Sequence, residues 1–121
     1  GTLSQGEKQL LLIARSLMIN PEILILDEAT SGLDLFAKER LLEKLHNITQ
    51  LENGPTLLYI THHPDEITSD FKKVLLLRDG QVFNHGTPPE ILTEEILSDF
   101  YQMPVSVNII NDAYFVLPKK S

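Results

Sequence analysis

The chain has 121 residues, no cysteine, 42% hydrophobic residues and a formal charge of −7, from ten Lys and Arg against seventeen Asp and Glu. The lack of cysteine excludes disulfide frameworks, cysteine-ligated zinc, iron–sulfur clusters and thiol catalysis, and the negative balance disfavours a nucleic-acid backbone or an anionic membrane surface as the main partner. Apolar runs such as Leu10 to Ala14 fall far short of the roughly 20 residues that cross a bilayer, and the Gly-Thr-Leu-Ser start has neither an initiator Met nor a signal-peptide layout, so the sequence reads as beginning inside a longer one.

Ser4 followed three residues later by Glu7 is a capping box. It opens a helix that runs to about Met18, where Asn20-Pro21 stops it. Apolar residues cover most of that helix's girth, which predicts burial on several sides. Ile23 to Leu26, closed by Asp27-Glu28, suits a strand of a parallel sheet covered on both faces. A helix is expected from about Leu35 to Glu52, ended by Asn53-Gly54-Pro55, and then a strand from Thr56 to Thr61. Strand, helix, strand makes a parallel βαβ unit. Downstream, Asp79-Gly80 signals a hairpin between Lys73–Arg78 and Gln81–Asn84. Short helices are expected at about Pro89–Leu92 and Glu94–Gln102, and a second hairpin around Asn111-Asp112.

Four short runs carry the chemistry: Leu3-Ser-Gln-Gly-Glu7 opening a helix, Ile23-Leu-Ile-Leu-Asp-Glu28 ending a strand, Ser31-Gly-Leu-Asp34 just after it, and Ile60-Thr-His62 ending the next strand. In order and spacing the chain resembles the C-terminal half of an ATP-binding-cassette (ABC) ATPase domain, with its signature motif, Walker B strand, D-loop and switch histidine. The resemblance runs from Leu3 to Gly86 and more loosely to about Val107. It implies a partial α/β, P-loop NTPase-like ABC ATPase fold, a parallel βαβ core followed by hairpins and short helices. Residues 1–121 would then be the C-terminal portion of one ATPase domain, without its Walker A and Q-loop half.

Each run also has a physical reading. Carboxylates at the carboxyl end of a strand stand where ligands bind in open α/β sheets, and side chains alternate along a strand, so Asp27 and Glu28 diverge to different tasks. The resemblance implies that Asp27 helps to hold Mg²⁺ and that Glu28 is the general base for the hydrolytic water. A helix start with a serine hydroxyl and N–H groups outside the helical ladder favours an anion. By resemblance Ser4 and Gly6 contact the γ-phosphate of ATP held by an opposing domain. Gln5 stands where the family more usually has glycine, and Glu7 where it has glutamine. His62 would hold the water and sense the phosphate, and Asp34 would couple the two sites.

The resemblance therefore implies an ATP-hydrolysing subunit of an ABC transporter, on the cytoplasmic face of the membrane, with ATP and Mg²⁺ as ligands. Its partners would be a second ABC ATPase domain and transmembrane permease subunits, with no direct nucleic-acid contact. No Gly-x-x-x-x-Gly-Lys-Ser/Thr run occurs in the 121 residues, so the chain alone is expected to be inactive. The alternatives are a soluble ABC ATPase uncoupled from transport, working in DNA maintenance, translation or cluster assembly, and a non-catalytic module; the translation-factor branch would usually read Thr-Asn-His-Leu-Asp in place of Thr30-Ser-Gly-Leu-Asp34. A non-catalytic module would be marked by loss of Asp27, Glu28 or His62, and all three are present. His85-Gly-Thr-Pro-Pro-Glu-Ile91 looks like the ending of importer-type subunits, whereas Ala29 is commoner in exporters.

Overall fold

The computed structural model describes residues 4–120; Leu3, the first residue of the signature run, lies outside them. The chain divides into two compact units at His62/His63, each with its own core.

The first unit opens with helix α1 (Gln5–Met18), entered through the full capping box. The Ser4 hydroxyl accepts from the Glu7 N–H at 3.1 Å, and the Ser4 N–H donates to the Glu7 carboxylate at 3.2 Å. Asn20 in a left-handed conformation, followed by Pro21, ends the helical path. Strand β1 (Ile23–Asp27) leads through a turn to helix α2 (Leu35–Thr49) and strand β2 (Thr56–Ile60). β1 and β2 pair in parallel, Ile23 opposite Thr56 and Asp27 opposite Ile60. Helix α2 stops three residues short of the expected Glu52, because the backbone tightens after Ile48. The Leu51 N–H donates to the Ile48 carbonyl and the Gly54 N–H to that of Leu51, and a Cβ on Gly54 would stand 2.8 Å from the Leu51 Cβ.

Ile13 of α1, Leu24 of β1 and Leu41, Leu45 and Ile48 of α2 form this unit's core. Two expectations fail here. Helix α1 is not buried on several sides: Gly6 and Ile13 are buried on one stripe, while Leu11, Leu12 and Met18 are exposed. The paired strands are covered on one face only. Leu24 is buried, and Leu26, Leu57 and Tyr59 pack onto the same core, while Ile23, Ile25, Leu58 and Ile60 alternate onto a face that stays exposed. Among the described residues no second layer covers this apolar face.

The second unit begins with a 3-10 turn (Pro64–Glu66). Strands β3 (Val74–Arg78) and β4 (Gln81–Gly86) form an antiparallel hairpin with a bulge between Leu76 and Leu77. Asp79 and Gly80 both take positive φ, as a two-residue hairpin turn requires. Two short helices, α3 (Pro88–Ile91) and α4 (Glu94–Tyr101), are capped by Thr87 and Thr93. A second hairpin, β5 (Val105–Ile110) and β6 (Ala113–Pro118), turns through Asn111 and Asp112, again both at positive φ. Leu97, Ile91, Val74 and Val105 are central to the core. The Arg78 guanidinium donates to the last carbonyls of α4, Asp99 and Phe100, both at 3.0 Å, and stacks 4.3 Å from the centre of the Phe83 ring.

Among the described residues no helix is long and apolar enough to cross a membrane.

Leu41 is 1% exposed and Leu58 49%. Leu41→Ala should therefore destabilise the chain by about 2–5 kcal/mol in denaturant unfolding, whereas Leu58→Ala should change it by less than about 0.5 kcal/mol.

A second expectation concerns pH. The Ser69 N–H and hydroxyl donate to the Asp112 carboxylate at 3.0 and 2.8 Å, and these bonds hold its pKa below the usual aspartate value. Stability from this contact is present above the unfolded-state pKa and is lost as pH falls through the depressed folded value. Asp112→Asn should flatten that part of the acid limb of the urea midpoint against pH.

Candidate functional site

In-register pairing of β1 with β2 brings the two strand ends together. One residue beyond β1, the Glu28 N–H donates to the Ile60 carbonyl at 2.9 Å, which extends the parallel ladder past the strand. Glu28 itself has φ +53, a left-handed conformation that glutamate rarely adopts. Asp27 and Glu28 thus diverge as expected, but the cause is a backbone turn and not strand alternation. Asp27 remains exposed at the strand end, and Glu28 swings towards β2. There the His62 Nδ1 lies 2.8 Å from the Glu28 Oε1, across 34 residues of sequence. The Glu28 side chain is 33% exposed and that of His62 74%.

This contact sets the tautomer. With Glu28 ionised, the hydrogen lies on Nδ1, and Nε2 is an acceptor in the neutral ring and a donor in the imidazolium. A half-buried carboxylate gripped by an imidazole, facing solvent at a strand end, can take a proton from a water molecule and hold that water in place.

The turn after Glu28 is closed by its own backbone. The Ser31 N–H donates to the Glu28 carbonyl and the Leu33 N–H to that of Thr30, both at 3.1 Å. Asp34 ends the turn as the N-cap of α2, its Oδ1 accepting from the Ala37 N–H at 2.8 Å. Ala37 also meets α1. Gly6 is buried, and a Cβ built on it would stand 3.0 Å from the Ala37 Cβ, so glycine lets the first turns of the two helices touch.

Ser4 and Gln5 are exposed at the start of α1. The Ser4 oxygen accepts the Glu7 N–H, which leaves its hydroxyl hydrogen as a donor. The Gln5 and Gly6 N–H groups, in the first helical turn, have no carbonyl to meet within the helix. The Ser4 backbone N–H, donating at 3.2 Å, holds the Glu7 carboxyl below the usual glutamate pKa.

Sequence reasoning did not single out Ala37 or Gln9. The Gln9 amide Nε2 donates to the Ala29 carbonyl at 2.7 Å. Spacing held a clue: Gln9 lies three residues after Gly6 and four before Ile13, on the one buried stripe of α1.

The family model for ABC transporters matches residues 1–31. The uncharacterized ABC transporter ATP-binding protein YmeB of Lactococcus lactis is 61% identical over 117 residues, 97% of this chain and 45% of the relative. The chain belongs to the ABC transporter ATP-binding proteins. An ABC transporter ATP-binding protein of Streptococcus mutans is 55% identical over 119 residues, 98% of this chain and 46% of its own length. The chain thus spans about half the length of the curated ABC relatives it matches. Among solved structures, a chain of a metal-chelate type ABC transporter in an inward-facing conformation is 30% identical, with a TM-score of 0.80 over 98% of this chain and 48% of that one. The α/β architecture is accordingly part of an ABC ATPase fold.

Gly6→Ala should destabilise the first unit by about 1–3 kcal/mol through overpacking against Ala37, and Ala37→Gly should relieve part of that loss. Chemical denaturation of the two single variants and the double variant measures the coupling.

Proposed function

We propose that this chain supplies the signature, Walker B and switch-histidine part of an ATP-hydrolysing ABC transporter subunit. In the complete protein two such domains close head to tail on ATP and drive solute movement through membrane permease subunits, working at the cytoplasmic face. The observation that carries the reading is the 2.8 Å contact between Glu28 and His62 at the carboxyl ends of paired parallel strands.

Each residue has a task in this reading. Glu28 accepts the proton of the attacking water, and His62 fixes the direction of the Glu28 carboxylate while its Nε2 faces the reacting phosphate. Asp27 offers an exposed hard oxygen donor at the strand end, a donor type that fits a hydrated Mg²⁺. When bound, that ion neutralises charge on the phosphate oxygens. The Ser4 hydroxyl hydrogen and the N–H groups of Gln5 and Gly6 form an anion-binding helix start, directed at the γ-phosphate held by the opposing domain. Asp34, fixed as the cap of α2, ties the turn after Glu28 to the helix that packs against Gly6.

Glu28→Gln in the complete protein tests the reading. ATP binding should persist, ATP should trap the dimer on size exclusion, and phosphate release should fall by about 10²–10⁴-fold. Wild-type turnover in that variant would overturn the base assignment. The 121-residue chain by itself should give no calorimetric ATP binding of millimolar affinity or tighter, since its sequence contains no phosphate-cradling lysine loop.

A further inference from the structure

The turn that carries Glu28 is held from three directions. Its N–H is bound by the Ile60 carbonyl of β2, and its own carbonyl and that of Thr30 are bound within the turn. The carbonyl between them, Ala29, is held from a different element by the Gln9 side chain of α1, at 2.7 Å. Ala29 is 4% exposed. Loss of the Gln9 amide would leave a carbonyl in a water-poor setting short of a donor, directly after a residue at φ +53. Backbone in such a sparsely populated region persists only where its surroundings over-determine it.

We propose that Gln9 is a positioning residue for Glu28. By fixing the Ala29–Thr30 peptide, one residue beyond Glu28, it holds the left-handed turn that aims the carboxylate at His62. The inference rests on the hydrolytic reading of Glu28 given above and adds a direction of control. Gln9 sits on the same helix as Ser4 and Gly6, five residues beyond Ser4, so the helix start that meets one nucleotide also supports the base that acts on the other. A shift of α1 when its N-terminus engages phosphate is transmitted through one hydrogen bond to the turn that carries the base. Gln9 itself touches neither nucleotide.

Two variants of the complete protein test this, compared at a temperature where each is fully folded. Gln9→Met keeps the length and removes the donor. Gln9→Glu keeps the shape but turns an ionised oxygen towards the Ala29 carbonyl. Both should lower kcat by about 10–100-fold, the scale of a small misplacement of a reacting group, with KM for ATP unchanged. The Gln9→Met/Glu28→Gln double variant should still be trapped as a dimer by ATP, because the anion-binding helix start is intact.

Lowering the pH should restore turnover of Gln9→Glu relative to wild type, since the protonated carboxyl can donate to the Ala29 oxygen. Gln9→Met should show no such recovery. Wild-type kcat in both variants overturns the inference, as does absence of the pH recovery. Loss of the ATP-trapped dimer in the double variant also overturns it, by assigning Gln9 to the placement of α1 alone. Wild-type turnover in Glu28→Gln overturns the parent reading instead, so the two failures are told apart.

Discussion

The parallel register of β1 and β2 is the constraint on which the site depends. Asp27 stands opposite Ile60, so the residues that follow each strand, Glu28 and Thr61-His62, leave the sheet at the same level. The Glu28 N–H continues the ladder to the Ile60 carbonyl, and only then does the backbone turn. A slip of one residue in this pairing would send every side chain of one strand to the other face, and would also separate the carboxylate from the imidazole. The core beneath the strands, built by Leu24, Leu41, Leu45 and Ile13, fixes that register because one face alone is buried.

Around this pair the chain uses small side chains and caps to bring helix starts close. Gly6 lets α1 touch Ala37, and Asp34 caps the same turn of α2. Gln9 then reaches from α1 to the turn behind Glu28. The N-terminal start of α1 and the carboxylate at the end of β1 thus share a short route of direct contacts inside one unit. None of these contacts is large in energy. Their effect is geometric, because each removes a freedom from the turn.

Much of this was legible in sequence for identifiable reasons. The capping box at Ser4 and Glu7, the hairpin turns at Asp79-Gly80 and Asn111-Asp112, and the strand ending at Asp27 rest on local chemistry that a few residues specify. The meeting of Glu28 with His62 was legible only because both end strands of one βαβ unit. What could not be read depends on neighbours. The apolar girth of α1 and the two-sided apolar pattern of β1 imply covering layers, yet Leu12 and Ile25 stay exposed among the described residues. Gln9 carries no signal of its own in the sequence, because its partner is a backbone carbonyl that no side-chain pattern encodes.

The left-handed backbone at Glu28 sets a limit on how this position can change. Glutamate there carries a conformational cost of about 1–3 kcal/mol, which glycine would avoid and asparagine would reduce. Drift towards a more stable chain would therefore favour the replacements that remove the carboxylate. A more stable backbone and a carboxylate at this position therefore pull in opposite directions.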